Sequence, residues 1–320
     1  MEKILVVGAA GQIGSELILS LRKIYGNENV IGSGRKTAPS EAVLNSGPFE
    51  FFNAVYREDL YSVCQMYNIN IIINMAAILS VTGEQNPMLA WDVNMNGLLN
   101  VLEVAREMKM KQVLVPSSIA VFGPGTPLDK APQETVLKPT TMYGLTKVAG
   151  ELLGDYYVQR YGLDVRGLRY PGIISYETLP GGGTTDYAVA IYYEAIKQKK
   201  YTCFVNADTM LPLMYMPDCI KATIDLMQAD FSKLKHHSDF NVGAMSFNVA
   251  ELAESIKKHI PEFEISYEPD FRQKIADSWP NDVDDTAARE EWGWKPDYAL
   301  DAMTEDMLKN IKIKHEKGLI

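Results

Sequence analysis

The chain reads as an α/β protein built on a doubly wound parallel sheet, with a smaller C-terminal part packed against it. Three features carry that reading. Strand-like and helix-like patterns alternate through the first two thirds of the sequence. The strand-like runs are apolar almost throughout, as strands covered on both faces must be. A glycine-rich turn joins the first strand to the first helix.

Taken in order, residues 4–7 form a buried strand. Residues 14–25 have helical spacing that puts Leu17, Ile18, Leu21 and Ile24 on one side. Short strands follow at 30–32, 49–53 and 71–75. A long helix at 88–108 leads into a strand at 112–116, and a second long helix at 142–161 into a strand at 165–170. Beyond residue 172 the rhythm loosens. Gly181, Gly182 and Gly183 make a loop, and prolines at 212, 217, 261, 269, 280 and 296 cut the chain into short elements. The expected partition has residues 1–172 as the nucleotide-binding part, with about 203–248 returning to it. Residues 173–202 and 249–320 then form the smaller, substrate-binding part.

Composition narrows the classes. With 320 residues, 47% apolar and 22% charged, the chain has the make-up of a globular protein with a large core. A net charge of −10 argues against nucleic acid and against a polybasic membrane contact. The three cysteines, Cys64, Cys203 and Cys219, are widely spaced and read as reduced core thiols. The N-terminal apolar run is too short for a signal peptide, and residues 69–79 are too short to span a bilayer. A cytoplasmic protein is expected.

Gly8-Ala9-Ala10-Gly11-Gln12-Ile13-Gly14 lies between the first strand and the first helix. Glycines at this spacing permit a tight turn, close approach to a pyrophosphate and close helix packing, while free amides of the helix start face the anion. The expectation is a Rossmann-type dinucleotide site. Tyr143 and Lys147 stand at i and i+4 near a helix start, on one face. An ammonium beside a phenol favours the phenolate, so Tyr143 is expected to have a lowered pKa and to act as a general base. Ser117 and Ser118 lie just beyond an apolar strand, where active-site groups of open α/β sheets gather. A turn or helix-capping role suits Ser117 better than Ser118, which is placed to bond substrate and phenol.

These motifs, with Asn74-Met75-Ala76-Ala77, resemble the extended short-chain dehydrogenase/reductases, which use NAD(P). Longer stretches are similar to the short-chain type of L-threonine 3-dehydrogenase: Met75 to Ser80, Gln133 to Tyr143, Arg169 to Ser175, Pro180 to Ala188, Met214 to Met216 and Arg272 to Pro280. The resemblance covers nearly the whole chain. It implies oxidation of the threonine 3-hydroxyl to 2-amino-3-oxobutyrate with NAD+ as acceptor. It makes Tyr143 the base, Lys147 its activator and ribose anchor, and Ser118 the donor that orients the hydroxyl. Ser80, Gly182, Thr184, Thr185 and Trp279 fall at substrate-pocket positions, with Ser118 and Tyr143. The cofactor set is Gly8, Gly11, Gln12, Ile13, Gly14, Gly34, Arg35, Asn53, Ala54, Met75, Ala76, Ala77, Tyr143, Lys147 and Ile173. Ile173 would lie near the nicotinamide carboxamide, and Asn53 and Ala54 would flank the adenine. A homodimer through the two long helices is also implied.

The four histidines form no metal cluster with cysteine, which excludes a zinc-dependent route to the same oxidation. One departure concerns cofactor choice. The NAD-type fold places an acid near the end of the second strand, on the ribose 2′-OH. Here the chain reads Gly32-Ser33-Gly34-Arg35-Lys36, without a carboxylate, so tolerance of NADP is expected beside NAD. Two other readings stay open: a nucleotide-sugar epimerase, which needs a larger basic pocket, and a redox-sensing protein without catalysis, which has no need of Tyr143 and Lys147.

Overall fold

The computed structural model describes residues 2–179, 181 and 183–320. The first half alternates as the apolar runs require. β1 (Ile4–Val7) is followed by α1 (Gln12–Tyr25), β2 (Val30–Gly34), α2 (Glu41–Asn45), β3 (Phe49–Phe51), α3 (Arg57–Tyr67) and β4 (Ile71–Asn74). Then come α4 (Ser80–Gln85), α5 (Pro87–Trp91), a π-helical turn (Asp92–Asn96), α6 (Gly97–Glu107), β5 (Gln112–Leu114) and β6 (Ser117–Ser118). The long α7 (Met142–Tyr161) leads into β7 (Val165–Arg166) and β8 (Leu168–Tyr170).

Six of these strands form one parallel sheet in the order β3-β2-β1-β4-β5-β7. The order reverses between β1 and β4, and in such sheets the crevice beyond the strand ends is where ligands bind. The remaining chain supplies β9 (Gly172–Ile174), α8 (Tyr187–Gln198), β10 (Lys200–Cys203), β11 (Met210–Tyr215), α9 (Met216–Gln228), β12 (Phe240–Asn241), β13 (Met245–Asn248), α10 (Val249–Lys257), β14 (Glu264–Tyr267), α11 (Arg272–Ala276), α12 (Thr286–Trp292) and α13 (Leu300–Glu316). Smaller sheets join β12-β8-β6, β13-β11-β9 and β10-β14.

Some expectations shift. The predicted strand at 165–170 is two strands: Gly167 separates β7 in the large sheet from β8 in another. The helix expected over 88–108 is interrupted by the π-helical turn. Ile24 is 52% exposed, and Arg22 is buried in its place, donating to the carbonyls of Val30, Val43 and Pro48. α2 and α3 had no counterpart in the pattern reading.

β11 divides two apolar cores. Leu211, Leu213 and Tyr215 face one, with α8, α10 and α13; Met214 faces the other, with β1, β4 and α9. This is the period of two of a strand covered on both sides. Ala288 and Trp294, from the stretch expected in the smaller part, pack in the core around β1. Among the described residues, no helix is long and apolar enough to cross a membrane.

Candidate active site

The turn after β1 is shaped by its glycines. Gly8 has φ +86°, and a Cβ there would lie 2.8 Å from the Ala76 amide nitrogen; one on Gly14 would lie 2.3 Å from the Gly8 carbonyl. Only glycine lets the turn pass this close to the chain end of β4 and to the start of α1. α1 begins at Gly11 with no side-chain cap and no acid in its first turn, so its amides and dipole are open to an anion.

Two cavities adjoin at this turn. One, about 250 Å³, is lined by Gly8, Gly11, Gly34, Arg35, Asn53 and Ala54, together with Met75, Ala76 and Ala77. None of its described lining residues is acidic. The other, about 240 Å³, is lined by Gly8, Gly11, Gln12, Ile13, Gly14, Met75, Ala77 and Ile173 on the glycine side. An uncapped helix start between two clefts fits an elongated dinucleotide with a central pyrophosphate.

The second cavity also holds the candidate catalytic residues. Thr141 caps α7 by accepting from the Gly144 amide at 3.0 Å, which sets Tyr143 and Lys147 on the first turns. Lys147 Nζ donates to the Pro116 carbonyl at 2.6 Å and stands 5.6 Å from the centre of the Tyr143 ring. Ser118 ends β6, just after β5, and both Ser118 and Tyr143 line the cavity. Ser80, Thr184, Thr185 and Trp279 line the same cavity. Ser80 Oγ and Thr184 Oγ1 are 3.3 Å apart, joining α4 to the chain before α8. Gly182 lies outside the described residues.

The electrostatics correct the expectation for Tyr143. Burial pushes its phenol up to about 12, partly offset by the hydrogen bond with Ser118. Burial also pulls Lys147 down to about 8, against the upward pull of Glu151. Desolvation outweighs the attraction of ammonium and phenolate here. The capping role falls to Ser118 and not to Ser117: Ser118 accepts from the Ala120 amide at 3.2 Å while still bonding the Tyr143 phenol, and Ser117 donates to Glu151 at 2.5 Å. Two residues escaped the sequence reading. Asp186, directly after Thr184-Thr185 in the chain, lines the cavity, and its carboxylate takes the Gly183 amide at 2.7 Å. Glu151 lies at i+4 from Lys147, a spacing readable in the sequence.

Residues 4–243 match the NAD dependent epimerase/dehydratase family. The chain belongs to this family. NAD is its cofactor. An uncharacterized epimerase/dehydratase of Staphylococcus haemolyticus is 47% identical over 317 residues, covering 99% of each chain. Among solved structures, L-threonine dehydrogenase from Clostridium difficile is 50% identical, with TM-score 0.96 over 98% of each chain. A monomeric L-threonine 3-dehydrogenase from a metagenome database is 47% identical, with TM-score 0.93 over 97% of this chain and 99% of that one. Among the described residues, no group of three or more His, Cys, Asp or Glu could hold a metal ion.

Proposed function

We propose that the protein oxidises the 3-hydroxyl of L-threonine to 2-amino-3-oxobutyrate. The observation that carries this reading is one cavity lined by Tyr143, Lys147 and Ser118 together with Ser80, Thr184, Thr185 and Trp279. NAD+, when bound, supplies the hydride acceptor. Tyr143 takes the hydroxyl proton, and Ser118 orients the hydroxyl and donates to the phenol. Lys147 supplies the positive charge that a phenolate needs in a dry site. Among the described lining residues Lys147 is the one cation and Asp186 the one anion. That balance suits a zwitterion and offers little to a nucleotide-sugar diphosphate. The similarity to L-threonine dehydrogenase structures points the same way.

The remaining assignments follow from the same reading. Gly34, Arg35, Asn53 and Ala54 face the adenosine half of the cofactor, and Ile173 the nicotinamide half. Residues 1–172 with 203–248 hold the cofactor, and the rest closes over substrate. The protein is placed in the cytoplasm. Exposed Met88, Trp91, Leu152 and Tyr156 on α5 and α7 support a homodimer through these helices. NADH absorbance after addition of L-threonine, with a nucleotide sugar as control, tests the reading. Absorbance that rises with neither, or a sugar epimerised instead, overturns it.

A further inference from the structure

Tyr143, Lys147 and Glu151 follow at i, i+4 and i+8 on α7, so one face carries a phenol, an ammonium and then a carboxylate. Glu151 is 5% exposed. It lines a small cavity of about 20 Å³ with Lys147, Asn74, Ser117, Thr146 and Ser238. This space has room for one water, and two buried atoms of these residues, Asn74 Oδ1 and Ser238 Oγ, have no partner in the protein. Lys147 therefore borders two spaces, the substrate cavity and this polar one.

Glu151 is fixed from two further elements. Arg169 of β8 donates Nε to Oε1 at 2.9 Å and Nη2 to Oε2 at 2.8 Å, and Ser117 of β6 donates to Oε1 at 2.5 Å. Arg169 also reaches Asp239 at 3.4 Å, before β12. Asp155, His236 and Glu134 lie further along this charge chain. Lys147, Glu151, Arg169 and Asp239 thus alternate in sign. Burial pushes the Glu151 carboxyl up, and Arg169 and Ser117 hold it down. A buried ammonium whose protein acceptor is a backbone carbonyl sheds its proton readily, and a neutral lysine cannot support a phenolate.

We propose that Glu151 is a positioning residue: its carboxylate, kept ionised by Arg169 and Ser117, holds Lys147 protonated and in place beside Tyr143 across the water-sized cavity. This rests on the reading of Tyr143 and Lys147 as the proton-handling pair, so the test follows Lys147 itself, without dinucleotide or substrate. The pH dependence of Lys147 labelling by a small amine-specific reagent, read on its peptide by mass spectrometry, reports where the proton is lost. Glu151→Gln is expected to lower that pH by about one unit or more, the scale set by one nearby opposite charge. Arg169→Gln, which removes what keeps the buried carboxylate ionised, is expected to lower it as well. Glu151→Asp, which keeps the charge, returns the curve toward wild type. Breaking a buried pair destabilises both glutamine variants, so a purely structural role lowers their melting temperatures and leaves the labelling curve unmoved. That outcome overturns the proposal, as does an upward shift in either. Because both variants are expected to lower it, either folded variant decides the question if the other does not fold. A wild-type protein that leaves threonine untouched while its Lys147 still responds to Glu151 refutes the substrate reading and leaves this one standing.

Discussion

A phenol pushed up to about 12 is a poor base at neutral pH, and the site has to spend positive charge and hydrogen bonds to use it. Tyr143→Phe keeps the ring's packing and removes the proton acceptor. Threonine turnover is expected to fall about 10²–10⁴-fold, the usual scale for one acid–base group, with NADH affinity little changed. Near-normal turnover in this variant means that the proton leaves by another route. Lys147→Met is expected to lose cofactor affinity as well as turnover, since one ammonium serves phenol and ribose; unchanged affinity, measured by NADH fluorescence titration, refutes that double role. Cofactor choice is also a single-residue matter. A Cβ at Gly34 would meet the Phe49 ring at 3.3 Å, a contact a side-chain ring can relax, so an acid can be accommodated there. A hydrogen bond to a charged group contributes about 1.5–3 kcal/mol. Gly34→Asp should therefore raise the NAD+ over NADP+ ratio of kcat/KM roughly ten- to a hundredfold. An unchanged ratio shows that position 34 does not read the ribose.

The reacting side chains are placed by how α7 is seated. A Cβ at Gly144 would lie 2.2 Å from the Ala120 carbonyl and 2.5 Å from the Pro139 ring, so the first turn of α7 rests directly on the chain that follows Ser118. Gly144→Ala must lift that turn and carry Tyr143 away from Ser118. Overpacking of this kind costs about 1–3 kcal/mol of stability, and a displacement near 1 Å can cost on the order of a hundredfold in turnover. Gly97→Ala at the start of α6, where a Cβ meets nothing within 4 Å, serves as control and should leave turnover unchanged. Equal effects of the two substitutions in urea melts and threonine assays would refute the seating argument. α7 was legible to the residue because both ends are marked: Thr141 caps the start, and Gly162 at φ +66° ends it. The large sheet was legible for the same kind of reason, since β1, β4 and β5 are buried apolar runs. β10 and β14 were not, because they are partly exposed, hold polar residues and pair 64 positions apart. Nor could spacing show that Trp279 or the glycine loop belongs to a site; family resemblance supplied them.

At the scale of the molecule, the cavity lies where two cores meet. Tyr143 and Trp279 pack with the core of α8 and α13, whereas Ile13, Met75 and Ile173 pack with the core around β1. A ligand in the cavity would touch both, so on the proposed reading its binding depends on how the two parts close. Ser80 and Thr184 already join across it, and Thr185 packs on Gly172, where a Cβ would lie 2.7 Å from the threonine's own. Trp279, 7% exposed, forms a wall between Ala276, which accepts its amide at 3.0 Å, and Pro280. Closure matters because hydride transfer needs a fixed, dry geometry. Trp279→Ala and Thr185→Ala should therefore lower kcat/KM for threonine while NADH affinity stays nearly intact. Serine, lacking the methyl group, should be poorer by roughly 1–3 kcal/mol if that methyl is packed in the closed pocket. Steady-state rates on the two amino acids, with NADH titration of each variant, measure both effects. Equal rates on serine and threonine, or a Trp279→Ala protein that oxidises threonine normally, would mean that the two parts do not close on the substrate.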